Sequence, residues 1–321
     1  MKNGQDAAFI GCDWGSSNFR LALLTDNGLP LAEFADDGGI VSLRKNGAGP
    51  LELLGHLHRG LMSLASVSGR NLDTFPLFIS GMAGSSLGIV EVPYAPVPFA
   101  LDGSDANVHE VSPLSGIPNK VVILSGVCSH DDVMRGEETE SIGLMLAAGV
   151  RDALLILPGT HSKHIEVING KIETFQTFMT GELFSVISSQ TILATSLEDP
   201  SMDPFDDHGR RCFIEGLRLS ANEGLLHTLF TLRSRTLIDK MPVRGNIHRL
   251  SGLLIGAELR CIKADRGGAV MLGGSGAIRA RYRLALQEIL HSPVICDLSS
   301  ADQLSAVWRG QVVFYQKTKQ D

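Results

Sequence analysis

The sequence predicts an α/β protein of two domains facing each other across a cleft, and three observations carry that prediction. At 321 residues the chain exceeds one comfortable hydrophobic core. Short apolar runs bounded by glycine, proline or charge alternate with stretches of helical periodicity, the pattern of a mainly parallel sheet. A strand, turn, strand, "NG" turn, strand plan occurs twice, in "AAFIGCDWGSSNFRLALLTDNGLPLAEF" and "DALLILPGTHSKHIEVINGKIETFQTF", starting near residues 7 and 152.

In chain order the strands are "AAFIGCDW", "FRLALLT", "FPLFIS", "KVVILSGV", "ALLILPG", "HIEVI", "IETFQTF", "GGAVMLGG" and "SPVICDL". The first two are too close for a helical crossover and must form a hairpin. Helical periodicity marks residues 50–66, 137–148, 181–195, 215–233, 247–264, 276–290 and 300–315. Ser300 starts the last of these as an acceptor for backbone donors, with Asp302 in the first turn. The domains are expected at 1–145 and 146–321, with the option that the last helix, about 300–321, packs back on the first domain.

Composition narrows the function. The chain is 44% hydrophobic and 20% charged with 35 glycines, as in a globular protein with many tight turns. A net charge of -7 leaves no broad basic surface, which argues against a nucleic-acid partner. No run reaches membrane-spanning length and the N-terminus lacks a signal-peptide pattern, so the expectation is a cytoplasmic protein with no membrane partner. Cys12, Cys128, Cys212, Cys261 and Cys296 are scattered and never form CxxC; they read as reduced, mostly buried thiols. His161 and His164 lack a third ligand for zinc, and His56 and His58 are expected on the surface, on opposite sides of a helix. The acidic "LEDPSMDPFDDHG" reads as a solvated loop and the basic "LRSRTLIDKMPVRGNIHR" as a solvated face or helix connection.

Both repeated turns combine glycine with hydroxyls, so backbone N–H groups can approach an anion there. Neither is a GxxxxGK[ST] loop, and "GGSGA" at 273–277 fails GxGxxG. The turn "DWGSSNFR" resembles the first phosphate loop of the sugar kinase, hexokinase and actin-like ATPase superfamily. "LPGTHSK" resembles its second phosphate loop and "VMLGGSGAIR" its adenosine loop. More narrowly, "GCDWGSSNFR", "GMAGSSLGIVEVPY", "DDVMRGEET", "LPGTHSK", "FMTGELF" and "SGLLIGAEL" together resemble the 2-dehydro-3-deoxygalactonokinase family, in that family's order over about residues 9–290. "SSN" stands where "TTN" is frequent, which keeps a hydroxyl, and His164 stands where an aromatic often follows the lysine. The tail after Cys296 matches no motif.

The resemblance implies two ribonuclease H-like (actin-like ATPase) domains, ATP and Mg2+, and phosphorylation of the 6-hydroxyl of 2-dehydro-3-deoxy-D-galactonate in galactonate catabolism. The partner is then a small-molecule acid sugar, and a homodimer is compatible with the sequence. A kinase of another acid sugar such as 2-dehydro-3-deoxygluconate, and a non-catalytic nucleotide or sugar sensor, are the alternatives.

The resemblance also distributes roles. Asp13 reaches the magnesium ion, usually through water; its alternative is a turn cap. Gly15, Ser16, Ser17 and Asn18 lie against the β and γ phosphates with Arg20 nearby. Gly159, Thr160, His161, Ser162 and Lys163 contact phosphates from the facing domain, and Gly273, Gly274 and Ser275 lie beside the adenosine; for Lys163 the alternative is a solvated loop lysine. Asp132 is the candidate general base and Asp131 the fallback, against a helix N-cap role for either. Arg135 is the preferred partner of the substrate carboxylate and Arg20 the second option. Gly81, Met82, Ser85 and Glu91, the last at the end of a strand, form a sugar-binding wall or else a plain Gly/Ser turn. Glu138 is a first-turn helix acid able to hydrogen-bond substrate hydroxyls.

Overall fold

The apolar run after Asp6 forms β1 (Ala7–Trp14), buried from Phe9 to Cys12 because it lies between neighbours in the middle of a sheet. This computed structural model describes residues 6–319 except 112–113, 115, 200–203, 223, 264–267, 275, 291–292 and 297. The chain divides into two units, one of Met1–Ala153, Ile165–Phe175 and Leu298–Asp321, the other of Leu154–His164 and Gln176–Asp297.

In the first unit β2 (Phe19–Thr25) and β3 (Pro30–Asp36) follow β1 as an antiparallel meander, the predicted hairpin. Then come α1 (Ile40–Lys45), α2 (Pro50–Ser68), β4 (Leu77–Gly81), β5 (Ala95–Pro96), β6 (Phe99–Ala100), β7 (Val108–Val111), β8 (Val121–Leu124), β9 (Val127–Cys128), β10 (Val133–Met134) and α3 (Glu137–Ala148). The main sheet takes the order β3-β2-β1-β4-β8-β7, parallel only across β1, β4 and β8. These three central strands are the nearly uninterrupted apolar runs, as burial on both faces requires. A small second sheet, β10-β9-β5, carries the β9–β10 hairpin.

Helix α2 starts with Pro50 in its first turn and Glu52 reaching back to the Gly49 amide at 2.9 Å, and it ends at Gly69. Its Leu53, Leu57, Leu61 and Leu64 form one buried stripe, each worth about 1.5–3 kcal/mol on removal from water. His56 is not on the surface. Its ring packs 4.9 Å from Phe19 and lies 3.3 Å from Asp36 Oδ1, filling the end of the sheet, whereas His58 is exposed.

The second unit holds β11 (Ala153–Leu157), apart from Ala153. β12 (Ser162–Ile168) and β13 (Lys171–Phe178) are divided between the units. There follow α4 (Thr180–Gln190), α5 (Asp207–Asn222), α6 (Leu225–Ile238), α7 (Asn246–Leu259), β14 (Ala269–Leu272), α8 (Gly276–Ile289) and β15 (Val294–Cys296). β11, β14 and β15 run parallel. The single helix expected over 215–233 is two helices, because Gly224 at the start of α6 interrupts the period. The helix expected over 181–195 stops at Gln190, where Thr191 accepts from the Leu193 amide and starts a 3-10 turn. Part of the acidic stretch is helical, since α5 begins at Asp207. Arg249 of the basic stretch is buried and donates to Glu215 Oε2 at 2.7 Å, so the solvated-face reading fails there.

In the first unit α9 (Ser300–Leu304) and α10 (Ala306–Lys317) replace the one helix expected over 300–315. Ser299, one residue before the predicted cap, accepts from the Asp302 amide at 3.1 Å. Gln311 of α10 donates to the Cys12 carbonyl at 2.8 Å and to Ser80 Oγ at 2.9 Å, tying the helix to β1 and β4. All five cysteines are free, but only Cys12 and Cys212 are buried; Cys261 is exposed. Among the described residues, no helix is long and apolar enough to cross a membrane.

Candidate active site

The buried strand β1 ends in a charge because that charge has a partner. Asp13 stands opposite Arg20 in the hairpin register, and its Oδ2 accepts from Arg20 Nε at 2.9 Å and from Nη2. Burial works against the charge on Arg20, yet the pairing with Asp13 holds its pKa above the ordinary arginine value. Gly15 N donates to Asn18 O at 2.9 Å and closes the turn. The Gly15, Ser16 and Ser17 carbonyls accept from Ile40, Val41 and Gly39. The carbonyls are thereby turned away, and the amides of Ser16, Ser17 and Asn18 meet no carbonyl among the described residues. Such a turn suits an anion.

Glu140 of α3 joins this group, a residue that sequence reasoning did not single out. Burial, then the charges of Asp13 and Glu137, push its pKa up to about 7 against the opposing effect of Arg20.

Two further loops meet the end of β1. Gly81 has φ 91° and a Cβ there would lie 2.6 Å from the Trp14 carbonyl, so the "SGMAG" loop needs glycine at this contact. On its other side, a Cβ on Gly136 would stand 3.3 Å from Gly81 Cα, which brings the "VMRGEE" segment against the same point. Met82 opens a short 3-10 turn. Ser85 Oγ donates to Met82 O at 2.7 Å and accepts from Leu87 N, so its hydroxyl serves the turn. Glu91 is exposed and does not end a strand. Residues 91–94 are irregular, and Pro93 has no amide to offer a ladder.

Asp131 and Asp132 lie at the tip of the β9–β10 hairpin, and neither caps α3, whose N-cap position is Gly136 with no side-chain cap bond. Asp132 Oδ1 accepts from Val133 N at 2.7 Å and its own amide donates to Ser129 Oγ at 3.1 Å, which fixes the carboxylate. Asp131 is exposed, 3.5 Å from Ser129 Oγ. Arg135 is buried, stacks 4.1 Å over the Tyr94 ring and donates one bond, from Nη2 to Val92 O at 3.0 Å. Its Nε and Nη1 are buried and meet no hydrogen-bond partner among the described residues.

Glu138 is buried at the start of α3, accepting from Gly136 N at 2.7 Å and from Thr139 Oγ1 at 3.0 Å. Burial, then the charge of Glu137, raise its pKa from 4.5 to about 7. The folded protein therefore takes up a proton on this group between those values, a stabilisation present at low pH and lost as pH rises through about 7. Glu138→Gln is expected to melt higher than the unmodified protein at pH 8, by on the order of 1–3 kcal/mol of stability. The difference should vanish near pH 5 in melts recorded across that range.

In the second unit Gly159, Thr160 and His161 are exposed while Ser162 and Lys163 are buried. Lys163 Nζ donates to His161 O at 3.1 Å, bracing the loop from within, which excludes the solvated lysine. The N-terminus of α4 backs the loop: Glu182 N donates to Thr160 O at 3.0 Å and His161 Nε2 lies 2.7 Å from Glu182 Oε2. Gly181 sits so close to the Gly159 carbonyl that a Cβ would collide with it. Gly273 N donates to Ile156 O at 2.9 Å, and Gly274 lies against Pro158 and Ile278. Ser275 lies outside the described residues. No cluster of three metal-ligating side chains occurs among the described residues.

Beside this loop is a cavity of about 220 Å³, lined by Phe184, Ile247, Leu254, Ile255 and Ile278, with Thr180, His248, Ser251, Arg281 and Tyr282 as its polar groups. Sequence reasoning missed this wall. The "FMTGELF" block contains Thr180 and Phe184, and Ile278, Arg281 and Tyr282 follow at helical spacing, but nothing local says they converge. Arg281 stacks 4.4 Å over Phe205, and its buried Nε meets no hydrogen-bond partner among the described residues; burial lowers its pKa.

Parallel strands that end in glycine-hydroxyl turns, each turn braced from behind, define the actin-like ATPase and sugar kinase class of α/β proteins. The chain shares this fold, at a TM-score of 0.52 and 16% identity over 98% of its length, with component A of the (R)-2-hydroxyglutaryl-CoA dehydratase of Acidaminococcus fermentans, all of which is covered. It belongs to the 2-keto-3-deoxy-galactonokinase family, whose model matches residues 13–310. It is 34% identical to the probable 2-dehydro-3-deoxygalactonokinase of Rhizobium meliloti (strain 1021), covering 87% of this chain and 89% of that one. It is 31% identical to the 2-dehydro-3-deoxygalactonokinase of Escherichia coli (strain K12), covering 88% and 90%. A crystal structure from Sinorhizobium meliloti with the same designation superposes at a TM-score of 0.78 and 32% identity, covering 97% and 96% of the two chains.

Proposed function

We propose that the protein transfers the γ-phosphoryl group of ATP to the 6-hydroxyl of 2-dehydro-3-deoxy-D-galactonate, giving 2-dehydro-3-deoxy-6-phosphogalactonate and ADP, in cytoplasmic galactonate catabolism. The observation that carries this reading is Arg135: a buried guanidinium with two unpartnered donors, three residues from Asp132, in a chain of this kinase family. A planar pair of N–H donors matches a carboxylate, and the proposed substrate has one.

Phosphoryl transfer demands position and charge stabilisation more than covalent chemistry from the protein. Arg135 holds the acid end of the sugar, and Asp132 takes the O6 proton as the O6–P bond forms and the bond from Pγ to the ADP oxygen breaks. The amides of Ser16, Ser17 and Asn18 and the loop 159–163 hold phosphate oxygens, and the apolar cavity takes the base. Magnesium fits Asp13, a partly exposed carboxylate with one oxygen taken by Arg20, since this metal keeps its waters and uses few protein carboxylates. When bound it neutralises charge on the β and γ phosphates. Asp13→Asn is expected to raise the magnesium concentration for half-maximal turnover about tenfold or more; an unchanged magnesium titration removes Asp13 from this role.

The test is magnesium-dependent conversion of ATP to ADP with the galactonate and gluconate epimers of the keto-deoxy acid, neutral hexoses and no sugar. Turnover confined to the galactonate epimer is the expected result. Preference for the gluconate epimer moves the substrate, and nucleotide binding without sugar-dependent turnover leaves a sensor.

A further inference from the structure

The "SGLLIGAEL" block has no role in the mechanism above, yet its glutamate is where the second unit's site residues converge. Glu258 on α7 is almost wholly buried. Its Oε1 accepts from Ser162 Oγ at 2.7 Å and faces His164 Nε2 at 2.9 Å; its Oε2 accepts from Tyr282 OH at 2.6 Å and from Thr180 Oγ1. A carboxylate has about four acceptor sites, and here four partners from β12, α4 and α8 occupy them. Burial alone would raise the pKa of Glu258, but the bonds from His164, then Thr180 and Tyr282, hold it below the usual carboxylate value. On the far side of the imidazole, Cys261 Sγ lies 3.3 Å from His164 Nδ1.

Three of those four partners belong to the candidate nucleotide site. Ser162 is in the loop 159–163, and Thr180 and Tyr282 line the cavity beside it. The outer residues of that loop, Gly159 to His161, are exposed, with the α4 terminus and the Lys163 ammonium behind them. We infer that Glu258 is a positioning residue for nucleotide binding: its carboxylate locks the phosphate loop to the cavity wall, so that phosphate and base are held in one fixed relation. This rests on the kinase reading, and it extends that reading to a residue that touches no substrate.

A merely structural glutamate would support the fold without setting affinity, so the two roles separate in measurement. Glu258→Gln keeps the shape but brings two N–H donors to a place where donors already point, and at least one of its four partners loses its acceptor. ADP affinity, measured by titration calorimetry at 10 °C on the full chain, is expected to fall at least about tenfold, with the KM of the sugar acid changed less than about twofold. Tyr282→Phe and Thr180→Val, which keep the charge and remove one donor each, should melt a few degrees lower yet stay folded at 10 °C, and there should weaken ADP binding about threefold while leaving adenosine binding unchanged. A Glu258→Gln protein that melts lower but binds ADP as tightly as the unmodified chain overturns the inference. If Glu258→Gln does not fold, the other two variants decide at 10 °C: unchanged ADP affinity in both, or equal losses for ADP and adenosine, overturns it, and ADP affinity weakened with adenosine affinity unchanged supports it. Absence of ADP binding by the unmodified protein would instead bring down the kinase reading, and the inference with it.

Discussion

Asp132→Asn lowers turnover by roughly 10²-fold or more and leaves the KM of the sugar acid within about threefold. The acceptor hydroxyl must lose a proton as the new bond forms, and an amide in place of the carboxylate cannot take it. Asparagine keeps the Oδ1 acceptor that Val133 N uses, so the hairpin tip is expected to hold its shape. Asp131 is the control. It is exposed and, among the described residues, makes a single long contact to Ser129, so Asp131→Asn should stay within about threefold of the unmodified rate. Single-turnover rates with saturating ATP check both, and reversed outcomes would transfer the role of base to Asp131.

Arg135→Lys raises the KM for the keto-deoxy acid by about 10²-fold, with turnover at saturation changed only a fewfold. The guanidinium is buried, stacked on Tyr94 and anchored by the Val92 carbonyl. Two of its donor atoms are left without partners, an arrangement that costs free energy until an acceptor arrives. An ammonium lacks the planar fork, so it can neither stack in the same way nor pair two oxygens at once. The sharper check is selectivity. An amide analogue of the substrate acid should lose much of its disadvantage in the variant, because the contact that distinguishes the two is gone. Equal losses for acid and amide would show that Arg135 only supports the fold.

What could be read in the chain follows from the range of each force. The β1–β2–β3 meander is announced by short apolar runs and the "NG" turn, both local signals, and Asp13 stands out because a carboxylate closes an apolar run. Helix α3 begins and ends where its pattern does. The break at Gly224 was hidden because apolar residues on either side keep nearly the same phase, although the glycine was a visible stop. His56, Lys163 and Arg249 look like surface residues by type. Each is covered by residues brought to it by the fold: Phe19 and Asp36, the carbonyl of its own loop, and Glu215. The convergence on Glu258 was illegible for the same reason, since Ser162 and Thr180 stand 96 and 78 positions away.

The bond from Gln311 to the Cys12 carbonyl joins positions 299 apart, and it sits in the middle of the first sheet. A ribosome making roughly 5–20 residues per second reaches α10 some tens of seconds after β1. During that interval the face of β1 and β4 that α10 covers is made but not yet sealed, and the second unit has been synthesised in full. The order of completion is then the reverse of the order of synthesis. A nascent chain stalled before residue 306 should present the Phe9 and Phe78 face to any chaperone that recognises exposed apolar strands, and one released after residue 317 should not.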